Sequence, residues 1–463
     1  MAVETWQPPL TPETGIETHG IERVPPDART HARVWDNFTL WLSANLVIPT
    51  VALGGLAVPV FGLGVADGVG AVLLFNILGV LPVAFFSTLG PKLGLRQMTI
   101  SLISFGWAGA MVMALFNVAA CLGWSVVNVI IGGQLVAALS HDRVPAWAGI
   151  LMIAALTTLV SVYGYGWVHR YERWAWVPMA LIFAALLAVS RHGFVAVPTP
   201  ALTLAHWAGW ASFGAAVYGF ATGWSSYAAD YTVNQPEDTP AGRVFWLTFA
   251  GVVLPCVLLE TFGLLLTTVP AFHGLSGGRL LAAAAQPLGG LGTALLALLA
   301  LSIVANNIPN DYSLGLSLQV LGPRFQRVHR AVWTLIGAAV YVAVALPRTA
   351  NFAETLEGFL LVIAYWLGPW AAIVALEHFV FRRGRYDADD WNTPSRLPAG
   401  WAALVSMGVG LAGVALGAAQ QVFTGPLAKR LGGMDIGFEM GTVSAALAYL
   451  VLRRIEVSRR PVL

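Results

Sequence analysis

The sequence has few charged residues and almost no cysteine. Charged side chains make up 10% of its 463 residues, whereas a soluble globular domain carries about 25%. That deficit excludes an ordinary soluble enzyme or binding domain. The two cysteines, Cys121 and Cys256, both fall in apolar stretches, so no disulfide framework is implied. A net charge of +2 gives no reason to expect a nucleic-acid partner.

Sequence motifs for catalysis and nucleotide binding are also missing. The chain has neither a His-x-x-x-His metal pattern nor a Walker phosphate loop. A Gly-x-Ser-x-Gly pattern occurs at 274–278, but no strand precedes it, and we interpret it as a flexible loop outside the membrane. The sequence therefore predicts no enzymatic activity, no metal and no cofactor. Any transport would have to be driven by an ion gradient.

Apolar residues dominate what is present. They make up 57% of the chain, and the mean hydropathy is +0.72. A helix that spans a bilayer needs about 20 mainly apolar residues, and long continuous runs favour helices over the alternating strands of a barrel. The sequence predicts an all-α integral membrane protein with twelve transmembrane helices. The predicted segments are 38–63, 69–89, 102–137, 146–163, 174–188, 207–231, 244–268, 290–320, 331–346, 356–379, 401–423 and 440–452.

The positions of Lys and Arg predict the orientation of the chain. With the N-terminus inside and twelve crossings, 19 of the 25 Lys and Arg fall on the cytoplasmic side. This asymmetry follows the positive-inside rule and supports cytoplasmic termini in a plasma membrane. The polar first 36 residues lack the basic-then-apolar pattern of a secretory signal, so we expect a cytoplasmic tail there.

The cytoplasmic loop between segments 10 and 11 separates the first ten predicted helices from the last two. Transporters built from two inverted five-helix repeats have such a core, and the first helix of each repeat is broken. We expect a tail at 1–36, repeats at 37–200 and 201–382, and a cytoplasmic loop at 383–400. Helices 11 and 12, with a cytoplasmic C-terminal tail, would occupy 401–463.

Segments 1 and 6 carry residues that could break a helix. Asn45 and Pro49 lie in the first, and Gly219 and Gly223 lie in the sixth. Proline removes a backbone hydrogen bond, and paired glycines permit an unwound stretch. A simple kink or a close helix contact would explain either segment alone. Their matching positions in the two repeats favour true breaks.

Polar side chains inside apolar segments mark a candidate site. Trp124 and Asn128 are four residues apart and share one helix face, and so do Asn306 and Asn310. Carboxamides in hydrocarbon are costly unless their hydrogen bonds are satisfied. Asn offers the donor and acceptor groups that match the edge of a nucleobase, and Trp124 and Trp224 offer flat faces for stacking. The alternatives are interhelical hydrogen bonding by Asn128 and ordinary packing by the tryptophans.

Acidic residues inside the membrane are candidate ion or proton sites. Asp230 and Glu357 are expected near helix ends, whereas Glu260 lies deep in segment 7 and Asp311 follows the asparagine cluster. For Glu260 and Asp311, a neutral carboxylic acid that is hydrogen-bonded to a neighbouring helix is the structural alternative.

Several motifs together resemble the purine–cytosine permease branch of the nucleobase:cation symporters. They are the tail signature at 20–25 and the stretches at 90–98, 104–106, 117–134, 227–231 and 306–310. The resemblance implies a leucine-transporter-like fold and alternating-access import of cytosine or purines. It also implies the substrate-binding residues, which are Ser43, Trp124, Asn128, Trp224, Asn306, Asn307 and Asn310.

The resemblance also bears on the coupling ion. Sodium-coupled relatives carry a neighbouring Ser/Thr pair on helix 8, but Ser302 has no second hydroxyl beside it. This departure favours H⁺ over Na⁺, although one serine with backbone carbonyls could still hold sodium. A nucleobase and the lipid bilayer are the expected partners, and the oligomeric state stays open.

Two other interpretations remain at this point. The same fold could carry allantoin, a hydantoin, another small heterocycle or an amino acid. An amino-acid carrier is expected to bind the substrate carboxylate at the segment 1 break, and the sequence there has no Gly-x-Gly, which weighs against an amino acid. A membrane receptor without transport is the alternative from a different class. Ligand binding without gradient-driven accumulation would support that receptor.

Overall fold

The chain folds almost entirely into helices in this computed structural model, which describes residues 22–29, 31–163, 165–387, 390–393 and 395–459. In that described part, β-structure is limited to one isolated bridge between Ala419 and Thr424. The predicted all-α class is confirmed. The predicted tail lies partly outside the described residues, because 1–21 are not among them.

The α-helices of the described residues follow each other through short connections. The first nine are α1 Asp36–Asn45, α2 Ile48–Gly54, α3 Val65–Ser87, α4 Leu89–Leu93, α5 Gln97–Ile100, α6 Leu102–Leu139, α7 Ala146–Tyr163, α8 Tyr165–Ser190 and α9 Leu204–Thr222. The others are α10 Ala241–Thr267, α11 Gly277–Ala285, α12 Gly290–Val320, α13 Pro323–Gln326, α14 Arg330–Arg348, α15 Phe352–Leu376, α16 Trp401–Gly417, α17 Pro426–Arg430 and α18 Gly437–Arg459.

Seven described helices are long and apolar enough to cross a bilayer, and the bent pair α1 and α2 would form an eighth span. Two shorter apolar helices, α7 and α16, occupy the predicted fourth and eleventh segments. Helices α9 and α18 occupy the sixth and twelfth. The helices are therefore consistent with the twelve predicted crossings.

Some boundaries differ from the prediction. Helix α8 begins at Tyr165, well before the predicted segment, because the charged residues at its start lower the hydropathy without ending the helix. Helix α16 ends at Gly417, and the chain then forms the Ala419–Thr424 bridge. The predicted flexible loop at 274–278 is also wrong in part, since α11 begins at Gly277. A Cβ at Gly278 would lie 2.9 Å from the Ile131 carbonyl oxygen, so the glycine permits close packing on α6.

The first predicted span bends by 59° between α1 and α2. Leu46 and Val47 leave the helical conformation, and Pro49 is the second residue of α2, where a missing backbone N–H costs little. The Asn45 side chain donates to the Trp41 carbonyl at 2.8 Å, and Thr50 Oγ1 donates to the Asn45 carbonyl at 2.7 Å. The second bond satisfies a backbone carbonyl that the break leaves without a helical partner, and the first ties the Asn45 side chain to the last turn of α1.

The sixth segment is irregular at one of its two glycines. Gly219 lies within α9, so its predicted role in a helix break is wrong. A Cβ there would lie 2.1 Å from the Leu360 carbonyl oxygen, which shows that Gly219 permits close contact with α15. At Gly223 the α-helix gives way to a 3₁₀ stretch, Gly223–Ser226, and a second one follows at Ala228–Tyr231.

Helix α10 fixes both halves of the broken first span. It packs against α1, α2 and α3. A Cβ on Gly54 would lie 1.8 Å from the Glu260 carbonyl oxygen, and one on Gly263 would lie 1.9 Å from the Val51 carbonyl oxygen. The backbones of α2 and α10 therefore touch directly, in the manner of small-residue contacts between membrane helices.

A buried ionic cluster joins the C-terminal end of α15 to α18. A π-helical turn, Glu377–Phe381, follows α15 at this point. Glu377 accepts from Arg453 at 2.7 Å, from Arg382 at 2.9 Å and from the Tyr449 hydroxyl at 2.9 Å. Glu456 accepts a further bond from Arg453 at 2.9 Å. Removing one member of such a buried set costs about 3–5 kcal/mol.

Candidate functional site

A small cavity lies beside the break between α1 and α2. Its free volume is about 20 Å³, and it lies among α1, α2, α6, α9, α12 and the irregular stretch that follows α9. Five of the predicted substrate residues line it, namely Trp124, Asn128, Trp224, Asn306 and Asn310. Ala44, Val47, Pro49 and Phe220 complete the lining. All of these side chains are neutral, so the cavity suits an uncharged solute.

The two tryptophans reach the cavity from different helices and are held by different contacts. Trp124 packs edge-on against Phe220 and Phe359, with ring centroids 5.4 Å and 5.0 Å apart. The Trp224 Nε1 donates to Asn45 Oδ1 at 2.9 Å, and its ring meets Trp41 edge-on at 5.4 Å. Both indoles line the cavity, and an indole face is a surface on which a flat ligand can stack.

Four carboxamides form one hydrogen-bonded network between α6 and α12. Asn306 donates to Asn128 Oδ1 at 3.1 Å, and Asn128 donates to Asn307 Oδ1 at 3.3 Å. Asn310 donates to the same Asn307 oxygen at 3.2 Å. Asn306 and Asn310 each use one amide hydrogen in this network. A carbonyl oxygen and a second hydrogen remain on each for a ligand.

Asn307 differs from its neighbours. It is fully buried and does not line the cavity, although the sequence predicts it as a substrate residue. Its oxygen accepts two bonds, from Asn128 and Asn310, while its Nδ2 has no hydrogen-bond partner. The structure thus places Asn307 behind the cavity, where it orients the two carboxamides that reach it.

A second cavity adjoins the first and contains Ser43 and Ser302. Its free volume is about 30 Å³, it lies among α1, α8 and α12, and Asn306 lines both cavities. Ser43 Oγ accepts from the Trp176 backbone N–H at 3.1 Å, and Ser302 Oγ donates to the Leu299 carbonyl at 2.7 Å. Ser43 is therefore close to the first cavity without lining it.

The predicted acidic residues lie outside both cavities. Asp311 accepts from Ser161 Oγ at 3.0 Å, and Glu260 accepts from Asn76 Nδ2 at 2.6 Å. Asp230 accepts from the Gln97 backbone N–H at 2.7 Å, next to the start of α5. No group of three or more His, Cys, Asp or Glu able to hold a metal occurs in the described residues.

Several residues of this region were missed by the sequence analysis. Phe359 packs against Trp124 in a T-shaped contact, but one phenylalanine in the apolar helix α15 carries no signal that sets it apart. Asn45 was predicted only as part of the break, yet it holds the indole of Trp224. The i, i+4 rule shows which residues share a helix face but not which bonds cross between helices.

Comparison with known proteins places the chain in a functional context. The profile of one family, described as "Permease for cytosine/purines, uracil, thiamine, allantoin", matches residues 23–441. The chain is 43% identical to the purine-cytosine permease fcyB of Emericella nidulans, over 97% of this chain and 90% of the relative. It is 37% identical to the purine-cytosine permease FCY2 of Saccharomyces cerevisiae, over 98% and 88%. The vitamin B6 transporter TPN1 of Saccharomyces cerevisiae is 29% identical over 98% and 90%.

Solved structures share the fold. The nucleobase-cation-symport-1 family transporter Mhp1, closed with bromovinylhydantoin bound, matches 98% of this chain and 97% of its own, with a TM-score of 0.73 and 15% identity. An inward-facing conformation of Mhp1 matches 99% and 97%, with a TM-score of 0.76 and 14% identity. The expected leucine-transporter-like fold is confirmed.

Proposed function

Since the chain belongs to the family of permeases for cytosine/purines, uracil, thiamine and allantoin, we propose that it imports cytosine or a purine together with a proton. It is a multi-pass membrane transporter and not an enzyme. The observation that carries the substrate proposal is the neutral cavity that joins three carboxamides and two indoles beside a helix break. Its relatives at 43% and 37% identity are named purine-cytosine permeases, which supports the same substrate class.

In this proposal the base lies between Trp124 and Trp224, and Asn128, Asn306 and Asn310 read its polar edge. A base with the wrong edge would leave buried carboxamide groups without partners, at about 1–3 kcal/mol each. Asn307 acts through Asn128 and Asn310, which it holds in place. The difference in binding free energy between a base whose edge pairs with the carboxamides and one whose edge does not would set the specificity.

The transport cycle would be alternating access, in which α1, α2 and α9 open the cavity to one side at a time. The N- and C-termini would be cytoplasmic, in the plasma membrane, as the Lys and Arg distribution predicts. A proton is favoured over sodium because Ser302 stands without a neighbouring hydroxyl.

A second candidate keeps the fold and changes the cargo. The 29% identical relative is named a vitamin B6 transporter, and the closed Mhp1 structure contains a bromovinylhydantoin. A pyridine or a hydantoin is also planar and polar at its edge, so both belong in any ligand screen.

The test is uptake of labelled cytosine into proteoliposomes under an imposed proton gradient or an imposed sodium gradient. Accumulation under the proton gradient alone supports the proposal. Accumulation under sodium alone would overturn the choice of ion. No cytosine exchange by folded protein would overturn the substrate, and adenine, hypoxanthine, allantoin and hydantoins would then be screened for binding.

A further inference from the structure

Glu260 and Asn76 form an isolated polar pair between α10 and α3. Both side chains are fully buried. Asn76 Nδ2 donates to Glu260 Oε2 at 2.6 Å and to the Val72 carbonyl at 2.9 Å, which uses both of its amide hydrogens. Glu260 Oε1 and Asn76 Oδ1 have no hydrogen-bond partner. The pair therefore has two buried acceptor oxygens and no hydrogen left to give them.

One added proton would satisfy this pair. A proton on Glu260 Oε1 can be donated to Asn76 Oδ1, which closes a reciprocal acid–amide pair with two hydrogen bonds. An ionised Glu260 would instead be a buried charge with one donor, and such charges are costly without a counter-ion. We propose that Glu260, paired with Asn76, binds the proton that is co-transported with the substrate. This inference rests on the proposed proton-coupled function and names its site.

The chemical step is simple. The carboxylate of Glu260 takes one proton from water on the outer side and becomes a neutral carboxylic acid. It returns that proton to water on the cytoplasmic side, and no electron or other group is transferred.

The surroundings supply no competing charge. Cys256 lies one turn away on α10 and is the titratable neighbour on the same helix. Helix α2 carries no titratable residue. The remaining described titratable side chains on α10 and on the helices packed against it are Arg243 at the start of α10, Asp36 on α1, Asp67 on α3, and His206 and Tyr218 on α9. None of these described groups forms a hydrogen bond or an ion pair with Glu260, and the titratable residues at the start of α8 lie outside the described side chains.

Two contacts connect Glu260 to the substrate cavity. Cys256 Sγ donates to Asn45 Oδ1 at 3.5 Å, and that same oxygen accepts the indole N–H of Trp224. The Glu260 backbone also touches Gly54 on α2, beyond the break that borders the cavity. Protonation of Glu260 can therefore alter the packing of both halves of the broken span, which is the element expected to move.

Asp311 is the other buried carboxyl near the cavity, and its environment is different. Ser161 Oγ donates to it at 3.0 Å, and neither of its oxygens is among the buried atoms without a partner. It lies on α12, and its side-chain bond to Ser161 joins it to α7 and not to α1, α2 or α10. Asp311 thus offers a matched control for a buried acid that does not carry the coupling proton.

The test compares Glu260→Gln with Asp311→Asn in proteoliposomes, by cytosine exchange and by proton-driven accumulation. Glutamine can form the reciprocal pair with Asn76 permanently, so Glu260→Gln should retain exchange of labelled for unlabelled cytosine and lose accumulation above equilibrium. Asp311→Asn should retain both. Proton-driven accumulation by Glu260→Gln at the wild-type level would overturn the inference. Absence of exchange in the wild type would overturn the proposed function instead.

A second variant keeps the inference testable if Glu260→Gln fails to fold. Asn76→Ala removes the donor to Glu260 Oε2, and bonds to a charged acceptor are about twice as strong as neutral ones. The ionised form is therefore weakened more, and the pH midpoint of cytosine uptake should move to higher pH. An unmoved midpoint in this variant would contradict the role of the pair.

Discussion

The bond between Trp224 Nε1 and Asn45 Oδ1 joins the irregular parts of the first and sixth segments, and its contribution to substrate affinity can be measured. At 2.9 Å it has good geometry, and its acceptor is fully buried. A net hydrogen bond contributes about 1 kcal/mol, which corresponds to about fivefold in a dissociation constant. If the bond holds the indole in the orientation that stacks on the base, its loss should raise the dissociation constant for cytosine by up to about fivefold.

A double-mutant cycle isolates this contribution. Asn45→Leu removes the acceptor, and Trp224→Phe removes the donor while retaining an aromatic face. Each change alone should weaken cytosine binding. In the Trp224→Phe background, Asn45→Leu should cost about fivefold less than in the wild type, because the bond is already absent. Equilibrium binding of labelled cytosine to purified protein provides the four constants.

Thr50→Val is the matched control for the cycle. It removes the bond from Thr50 Oγ1 to the Asn45 backbone carbonyl, at the same break, without touching the indole. Its effect should add to that of Trp224→Phe. Purely additive effects of Asn45→Leu and Trp224→Phe would refute the proposed positioning of the ring.

Three further predictions concern the site and the scaffold. Asn310→Ala should abolish cytosine uptake while surface expression stays normal. Normal uptake by this variant would contradict the proposal that the asparagines bind the substrate. Trp224→Ala should weaken affinity for flat rings more than Trp224→Phe does, and equal effects in a binding assay would argue against stacking. Gly54→Ala should prevent folding, because its Cβ would lie 1.8 Å from the Glu260 carbonyl oxygen, whereas Gly242→Ala, with nothing within 4 Å, should express normally. Comparable yields of the two glycine variants in detergent chromatography would contradict the packing argument.

Much of the architecture could be predicted from hydropathy and charge alone. Long apolar runs gave the helices, because a bilayer leaves the backbone few other ways to satisfy its hydrogen bonds. The cluster at 306–310 was visible because carboxamides are rare in such runs. The division into domains, the coupling ion and the orientation stay predictions.

The finer structure of the site could not be predicted in the same way. Gly219 and Gly223 look equivalent in the sequence, but the first permits contact with α15 and the second begins the irregular stretch. Asn307 and Asn310 likewise have the same chemistry, and only the cavity lining and the bond from Asn128 on α6 show that one lies behind the other. Such differences depend on tertiary contacts between helices far apart in the sequence.

The cluster around Glu377 has a consequence for how α15 can move. One end of this helix is tied to α18 by buried ionic bonds, while Phe359, near its other end, touches Trp124 at the cavity. A rigid shift of the whole helix would break several charged contacts at once, whereas a tilt about the tied end would break none of them. The last helix, α18, contributes no residue to the cavity lining and would then be the fixed point about which α15 tilts.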